Sequence, residues 1–176
     1  MRRFPFVAML SVVVAGAAVP SGVRAADSGQ AVVRATYETY LKSFFSKKSI
    51  GAYKPYFDSG LYALAAYWAQ LPNLPGKRGY ACTFDSDPLA NAQNGRAVEP
   101  ITVGTPTAGR GGSSYPVTLT LQFTKGTLPS HVLVTVVKEN GRERVSDIIP
   151  IIDGKSYPGD SLRATLTKIR NDASCH

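Results

Sequence analysis

The chain has 176 residues, of which 44% are hydrophobic and 18% are charged, and its formal net charge is +8. This length corresponds to about one domain. The apolar fraction is that of a packed globular protein, which excludes wholesale disorder. Two cysteines are too few for a scaffold held by disulfides alone or for a four-thiolate zinc site. Composition therefore indicates a folded domain but no particular activity.

The first 25 residues have the layout of a secretory signal peptide. Arg2 and Arg3 precede an apolar run over residues 6–18, and Val23 and Ala25 form a small-residue cleavage pattern. The run is too short for a stable membrane span, and no longer apolar run follows it. An uncleaved anchor or a buried helix is the alternative. We expect residues 1–25 to be removed, residues 26–176 to form one domain, and the protein to reside in the periplasm or to be secreted.

The mature chain is expected to be moderately basic. The leader contains three arginines and no acids, so its removal lowers the net charge from +8 to +5. A positive charge favours anionic partners, and lipid headgroups or cell-wall polymers stay open as candidates. An exported chain does not meet nucleic acid, so no such partner is expected. The basic residues occur as scattered pairs, which is typical of a solvated mixed surface: Lys47 with Lys48, Lys77 with Arg78, Arg142 with Arg144, and Lys168 with Arg170.

Cys82 and Cys175 are predicted to form a disulfide bond with a structural role. In an oxidising compartment, two lone cysteines usually pair. Closing so long a loop is worth at most roughly 4 to 5 kcal/mol in the chain-entropy model. Two separate thiols, or Cys175 pairing between chains, are the alternatives.

Two helices are predicted in the first part of the mature chain. Apolar side chains recur at spacings of three and four residues between positions 33 and 45, and again between positions 61 and 71. The first helix is therefore expected over Gln30–Phe45 with Ser28 as its N-cap. Ser59 is expected to cap the second helix, which Pro72 ends. A loop is expected over 73–81. Asp87, followed by proline, predicts the N-cap of a short helical turn through residue 94.

From residue 97 onward the apolar period changes to two. Four strands are predicted, over residues 97–103, 117–124, 131–139 and 142–149. Residues 104–114 are expected to connect the first of these strands to the second, with Gly109, Gly111 and Gly112 as flexible linkage. Asn140-Gly141 indicates a tight hairpin, and Pro150 marks a strand end, an edge or a bulge. With a last helix over 161–170, this order indicates an α+β fold, in which two or three helices pack on a strongly bent antiparallel sheet.

Several short motifs accompany this order of elements, and they contain Phe84, Asp85, Asp87, Pro88, Gln93, Asn140, Gly141, Asp147, Ile148, Ser161, Leu162, Arg163 and Leu166. With the order of elements, these motifs resemble a bacterial envelope family known as domain of unknown function 3828. The resemblance implies a nuclear transport factor 2-like (cystatin-like) cone, with about four curved antiparallel strands and two or three helices, but no activity.

The chain departs from that family at two places. The family often has an aromatic residue after the hairpin glycine and two acids further on, whereas here Arg142 follows the glycine and Ser146 replaces the first acid. A Gln-Asp pair of the family is Gln93-Asn94 in this chain. If those acids carry a function in the family, this chain lacks part of it.

Asp147 is the one weak candidate for a catalytic residue. Counted by twos, it shares a strand face with Val145, Ile149 and Ile151, and a carboxylate among aliphatic residues needs a partner. Related cones such as ketosteroid isomerase use an acid inside the cone as a base. The alternative is a structural role, in which a bulge near Pro150 turns Asp147 outward or the carboxylate pairs with an arginine or a backbone amide.

No metal or cofactor is expected. Asp85 and Asp87 offer two oxygen ligands, whereas calcium takes about six to eight, and turn and capping roles account for both acids. His131 and His176 are isolated from each other. The sequence also lacks the serine-hydrolase, zinc-protease and phosphate-loop motifs.

The tyrosines are the main candidates for binding. Helical spacing places Tyr37 and Tyr40 in the core by default, whereas Tyr53 and Tyr56 lie in a predicted turn and are expected to be freer to face outward. With Asp147, they form the expected binding set.

The leading hypothesis is an exported, non-enzymatic binding or accessory protein that takes an envelope protein or a small ligand. The alternatives are an immunity protein that neutralises a secreted periplasmic toxin, and a small lyase, isomerase or hydrolase with Asp147 as its base.

Overall fold

The computed structural model describes residues 27–71, 82–84, 86–109 and 111–175. The leader, Pro72, the predicted loop over 73–81, Asp85 and His176 lie outside the described residues, and what was inferred for them stays a prediction. Within the described ranges the chain forms three α-helices and a curved antiparallel sheet of six strands, which confirms the α+β class. The expected number of about four strands was too low. One short strand, Thr107–Gly109, lies in the predicted connection over 104–114, and another, Lys155–Ser156, lies where no element was predicted.

The elements follow one another as helices first and strands second, with a final helix. The helices are α1 (Ser28–Lys42), α2 (Ser59–Gln70) and α3 (Leu162–Asn171), and short 3-10 helices span Ile50–Tyr53, Pro158–Asp160 and Ala173–Cys175. The strands are β1 (Arg96–Val103), β2 (Thr107–Gly109), β3 (Gly112–Phe123), β4 (Gly126–Glu139), β5 (Arg142–Ile152) and β6 (Lys155–Ser156).

The predicted N-caps of α1 and α2 were each wrong by one residue. Asp27 caps α1, since its carboxylate accepts a hydrogen bond from the Gly29 amide at 3.0 Å. Asp58 caps α2 in the same way, through the Leu61 amide at 2.6 Å. An aspartate suits the position because its negative charge also interacts favourably with the positive end of the helix dipole. At its other end α1 stops at Lys42, three residues before the predicted Phe45.

The sheet has the order β1-β3-β4-β5-β6, with β2 paired to the start of β3. Alternating residues of the central strands face the helices, as predicted, and the buried cross-strand rows include Val117 with Val132 and Val134 with Ile148. The Asn140-Gly141 hairpin is confirmed, since both residues have positive φ (50° and 78°), as a tight two-residue turn requires. The core lies between this sheet face and the helices.

The expected flexible linkage around Gly109–Gly112 is instead a regular hairpin. Gly109 pairs with Gly112, and the pairing continues through β2 and β3. A Cβ atom on Gly112 would stand 2.1 Å from the backbone oxygen of Val136 on β4. This glycine therefore permits a close approach of two backbones rather than loop mobility.

Pro150 does not end a strand, because β5 continues to Ile152. Its carbonyl oxygen accepts a hydrogen bond from the Tyr157 amide at 3.1 Å, on the side away from β4. The N–H that a proline lacks would point to that same side, so no bond to β4 is lost. Pro150 is therefore tolerated inside β5, but the edge interpretation was wrong, because β6 and Tyr157 lie beside β5 on that side.

A β-bulge is present on β5, but it lies at Ser146 rather than near Pro150. Val136 pairs with Val145 and Thr135 pairs with Asp147, so Ser146 is an extra residue on the bulged strand. The extra residue reverses the alternation beyond it. Val145 and Ile148 are buried together, and the predicted face that joined Val145 to Asp147, Ile149 and Ile151 was wrong.

The predicted disulfide is confirmed. Cys82 and Cys175 are bonded, both are buried, and their Cα atoms lie 5.5 Å apart across 93 residues of sequence. Disulfides of this kind are typical of secreted proteins. None of the described helices has the length and apolarity that crossing a membrane requires.

Candidate functional site

The tyrosines of α1 serve as internal anchors. Tyr37 and Tyr40 are fully buried, which confirms the expectation that they lie in the core. The Tyr37 hydroxyl donates to the Leu89 carbonyl oxygen at 2.9 Å, and the Tyr40 hydroxyl donates to Asp87 Oδ2 at 2.7 Å. Both hydroxyls therefore hold the segment around residues 87–92 against α1.

The turn tyrosines differ from the prediction in one case. Tyr53 was expected to be freer to face outward, but it is fully buried and donates to the Ser43 carbonyl oxygen at 2.6 Å. It packs there against Phe45 and Phe57. Tyr56 is half-buried, and its backbone carbonyl accepts a hydrogen bond from the Val145 amide. Tyr53, Phe45 and Phe57 form one cluster of contacting rings, which explains why this turn folds inward.

Asp87 organises the turn that was predicted to be helical. Its side chain accepts a hydrogen bond from the Leu89 amide at 3.0 Å, and its backbone forms an isolated bridge with Ala92. The segment is a non-helical turn, in which the Asp87 carboxylate binds the amide two residues ahead, as in an Asx turn. Ser130 of β4 adds a third anchor by donating to the Ala90 carbonyl oxygen at 2.6 Å.

Burial has the largest effect on the pKa values of Asp87 and Tyr40. It raises the pKa of the Asp87 carboxyl above its ordinary value, although hydrogen bonds from Tyr40 and the turn amides act in the opposite direction. Burial, with Asp87 next to it, also raises the pKa of the Tyr40 phenol well above its ordinary value. Tyr40 therefore stays protonated and acts as the donor.

An open cavity of about 680 Å³ lies between the chain that follows α1 and the Asp87 turn. We call it the aromatic groove, and it is lined by residues 44–48, Trp68, residues 83–84, 86–88 and 92–95. Its volume falls within the range of small-molecule sites. The groove exists because α1 ends at Lys42, which leaves residues 44–48 outside the helix.

The floor of the groove is a cluster of packed rings. Phe45 stacks on Trp68 with ring centroids 5.6 Å apart and planes 2° apart, and Phe84 meets Trp68 edge-on at 5.0 Å. Trp68 is nearly buried, Phe84 is half-buried, and Phe44 is 40% exposed. Phe44 and Phe84 thus present apolar surface to the opening, and the other two rings support them.

Basic side chains lie along the rim. Lys47 Nζ is 5.8 Å from the Trp68 ring centroid and donates to the Leu71 carbonyl oxygen at 2.7 Å. The Arg96 guanidinium lies 5.7 Å from the Phe44 ring centroid, and Lys48 is exposed. Cations in such positions are attracted by the ring faces.

The wall at residues 82–84 is tied down in two ways. The indole N–H of Trp68 donates to the Cys82 carbonyl oxygen at 3.2 Å, and the disulfide joins Cys82 to the chain that follows α3. The predicted structural role of the disulfide therefore includes holding one wall of the aromatic groove.

Asp147 lies away from the groove, at the N-terminus of α3. Its Oδ1 accepts hydrogen bonds from the amides of Arg163 and Ile148, each at 2.9 Å. Burial raises the pKa of the Asp147 carboxyl, while these bonds and the Ser161 hydroxyl act in the opposite direction. Arg163 also donates to the Ser146 carbonyl oxygen and forms a 2.7 Å ion pair with Asp58. This network joins the bulge to the first turns of α2 and α3.

A second open cavity, of about 690 Å³, lies at the far end of the sheet near the β3–β4 turn. His131 lies on its lining with the exposed side chains of Leu128 and Ile152. It has neither the stacked rings nor the lysines of the aromatic groove. Within the described ranges, no three His, Cys, Asp or Glu side chains come together as a metal site would require.

Sequence reasoning missed the groove residues as a site. Phe44 and Phe45 were assigned to a helix stripe, Lys47 and Lys48 to a solvated surface, and Trp68 to the core. A usable signal was the polar run that follows two phenylalanines at the end of the predicted helix. No protein-family model, curated protein or solved structure matches the chain.

Proposed function

We propose that the protein is an exported, non-enzymatic binding or accessory protein whose ligand occupies the aromatic groove. The observation that carries the proposal is the groove itself: a cavity of about 680 Å³ in which Phe44 is 40% exposed. Solvent-facing aromatic rings beside a few polar groups are typical of ligand sites. The surrounding wall is held by Tyr37, Tyr40 and the disulfide, so the cavity is preformed.

Export to the periplasm or beyond is part of this proposal. The leader pattern over residues 1–25 and the Cys82–Cys175 bond both support it. Cleavage after Ala25 gives a chain that begins at Ala26, which intact-mass measurement of protein from the producing cell tests directly. A chain that retains residues 1–25 in its native compartment would contradict the leader assignment.

We further propose membership of the domain of unknown function 3828 family and a nuclear transport factor 2-like cone. The curved six-stranded sheet with helices on one face is consistent with a cone of that type. Several residues behind the resemblance have structural roles that conservation of a fold would require. Asp87 organises a turn, Asn140 and Gly141 form the hairpin, and Asp147 binds the N-terminus of α3.

The contacts of Asp147 favour the structural role over the catalytic one. Two backbone amides converge on its Oδ1, which is how a carboxylate supports the start of a helix. The enzyme alternative built on Asp147 therefore loses its main support.

Trp68 provides the test of the proposed function, because it is the only tryptophan of the chain and lines the groove. Low-molecular-weight fractions of the native envelope compartment are titrated into the mature protein while tryptophan emission is recorded. At least one fraction is expected to shift or quench the emission in a saturable way.

Matched variants locate the response. Phe44→Ala is expected to weaken it, and Leu128→Ala, which removes an exposed apolar side chain far from the groove, is expected to leave it unchanged. The proposal fails if no fraction changes the emission, or if both variants alter the response equally.

A further inference from the structure

We propose that the ligand of the aromatic groove is a small anionic molecule, with a flat apolar body and one carboxylate or similar acidic group. This inference rests on the proposed function and narrows it to one chemical class. It follows from how charge and apolar surface are distributed around the opening.

The apolar part of the site is formed by two phenylalanines. Phe44 and Phe84 offer the exposed ring surface, whereas Trp68 is covered by Phe45 on one side and met edge-on by Phe84. A ligand therefore packs against the two phenylalanines and does not insert between stacked rings. Offset and edge-on ring contacts of this kind favour a planar, apolar ligand body.

The charged part of the site is positive. Among the described residues that line the groove, the cations are Lys47 and Lys48 and the acid is Asp87. The Asp87 carboxylate already accepts hydrogen bonds from the Tyr40 hydroxyl and the Leu89 amide, so it repels an incoming anion less than an exposed carboxylate would. Arg96 adds a further positive charge beside Phe44.

Neutral polar groups complete the recognition surface. Gln93 and Asn94 are exposed at the same opening, and Ser86 and Thr83 contribute hydroxyls to the lining. An acidic group that enters between these side chains and Lys48 gains a charge-assisted hydrogen bond, which is about twice as strong as a neutral one. These four side chains are neutral, so they offer a cationic ligand no carboxylate with which to pair.

Isothermal titration of the mature protein with three simple probes tests the inference. The probes are 2-naphthoate, its neutral isostere 2-naphthamide, and acetate, which has the charge without the rings. Naphthoate is expected to bind at least about tenfold more tightly than naphthamide, and acetate more weakly than both. Raising the ionic strength from about 0.02 M to about 0.5 M is expected to weaken the binding of naphthoate selectively.

Variants assign the charge that is responsible. Lys48→Gln is expected to weaken naphthoate binding about fivefold or more and to leave naphthamide unchanged, while Lys48→Arg keeps the preference for the anion. Lys54→Gln is the matched control, because Lys54 is an exposed lysine near the Tyr62 ring and outside the groove.

The inference is overturned if naphthoate and naphthamide bind equally, if neither binds, or if Lys48→Gln and Lys54→Gln have the same effect. Those results leave the proposed function intact if envelope fractions still change Trp68 emission and Phe44→Ala still weakens that response. The absence of any Trp68 response to any fraction removes the proposed function itself.

Discussion

In the described part of the chain, tyrosine hydroxyls bind carboxylates as well as backbone carbonyl oxygens, and that of Tyr115 donates to the Asp27 carboxylate at 2.8 Å. Tyr37 reaches Leu89 and Tyr53 reaches Ser43, whereas Tyr40 reaches the Asp87 carboxylate. A buried phenol must find an acceptor, since an unsatisfied hydroxyl costs about 1–3 kcal/mol. Two of the tyrosines, Tyr37 and Tyr40, thus attach the first helix to the distant turn around Asp87.

Tyr40→Phe is expected to lower the free energy of unfolding by about 1–3 kcal/mol, because the buried Asp87 carboxylate loses a hydrogen-bond donor. Urea denaturation measures the loss. Tyr56→Phe, which changes a half-buried tyrosine, is the control and is expected to stay within about 0.5 kcal/mol of the wild type. Equal effects of the two substitutions would contradict the anchoring role of Tyr40.

Asp87→Asn is expected to reduce the pH dependence of stability. Burial raises the pKa of Asp87, so the folded chain binds its proton more tightly than the unfolded chain does. The free energy of unfolding therefore falls as pH rises from the ordinary carboxyl range, near about 4, through the raised pKa. An amide cannot ionise, and it keeps an oxygen for the Leu89 amide.

The slope is measured by urea denaturation at a series of pH values. It is reduced rather than abolished in Asp87→Asn, because the raised pKa of Asp147 acts in the same direction. Asp160→Asn is the control, since the Asp160 side chain is 69% exposed. An unchanged slope in Asp87→Asn would contradict the proposed burial effect.

At the scale of elements, periodicity predicted most helices and strands. It did not predict the residues at which a helix begins or a strand bulges. The alternation over 117–124 and the Asn-Gly turn identified β3 and the β4–β5 hairpin well. The bulge at Ser146 could not be predicted, because one extra residue hardly changes the apolar pattern of the sequence. In the structure, that residue moves Asp147 off the core face. Capping by Asp27 and Asp58 was missed because the neighbouring serines are also good N-caps.

Asp147→Ala is expected to lower the free energy of unfolding by about 1–3 kcal/mol, because the amides of Arg163 and Ile148 lose their acceptor. Asp147→Asn keeps an oxygen and is expected to retain most of the stability. Amide hydrogen exchange is expected to rise in the first turn of α3 in the alanine variant. Asp160→Ala serves as the exposed control, and an alanine variant as stable as that control would argue against the structural role.

At the scale of the whole molecule, sequence analysis predicted the α+β class and the disulfide, but the site could not be predicted. The aromatic groove joins three segments, around Phe44, Trp68 and Phe84, that have no common motif. Each looks like ordinary core or surface when taken alone. Only the early end of α1 and the packing of the Asp87 turn bring them together.

Replacing both Cys82 and Cys175 with serine is expected to lower the free energy of unfolding by about 2–5 kcal/mol. The bond spans 93 residues, so its loss frees a large part of the unfolded chain. Because the Trp68 indole binds the Cys82 carbonyl oxygen, Trp68 emission is also expected to shift toward that of a more solvent-exposed indole. Reduction of the wild type with dithiothreitol should reproduce both effects, and a normal emission spectrum after complete reduction would contradict the link to the groove.

The anchoring of the Asp87 turn also has a consequence for the order of folding. Its contacts to Tyr37, Tyr40 and Ser130 span 40 to 52 residues of sequence, and contacts so distant form only after the intervening chain has collapsed. The turn is thus expected to be among the last parts to consolidate during folding. The molecule would then acquire its recognition surface only once the rest of the architecture is complete.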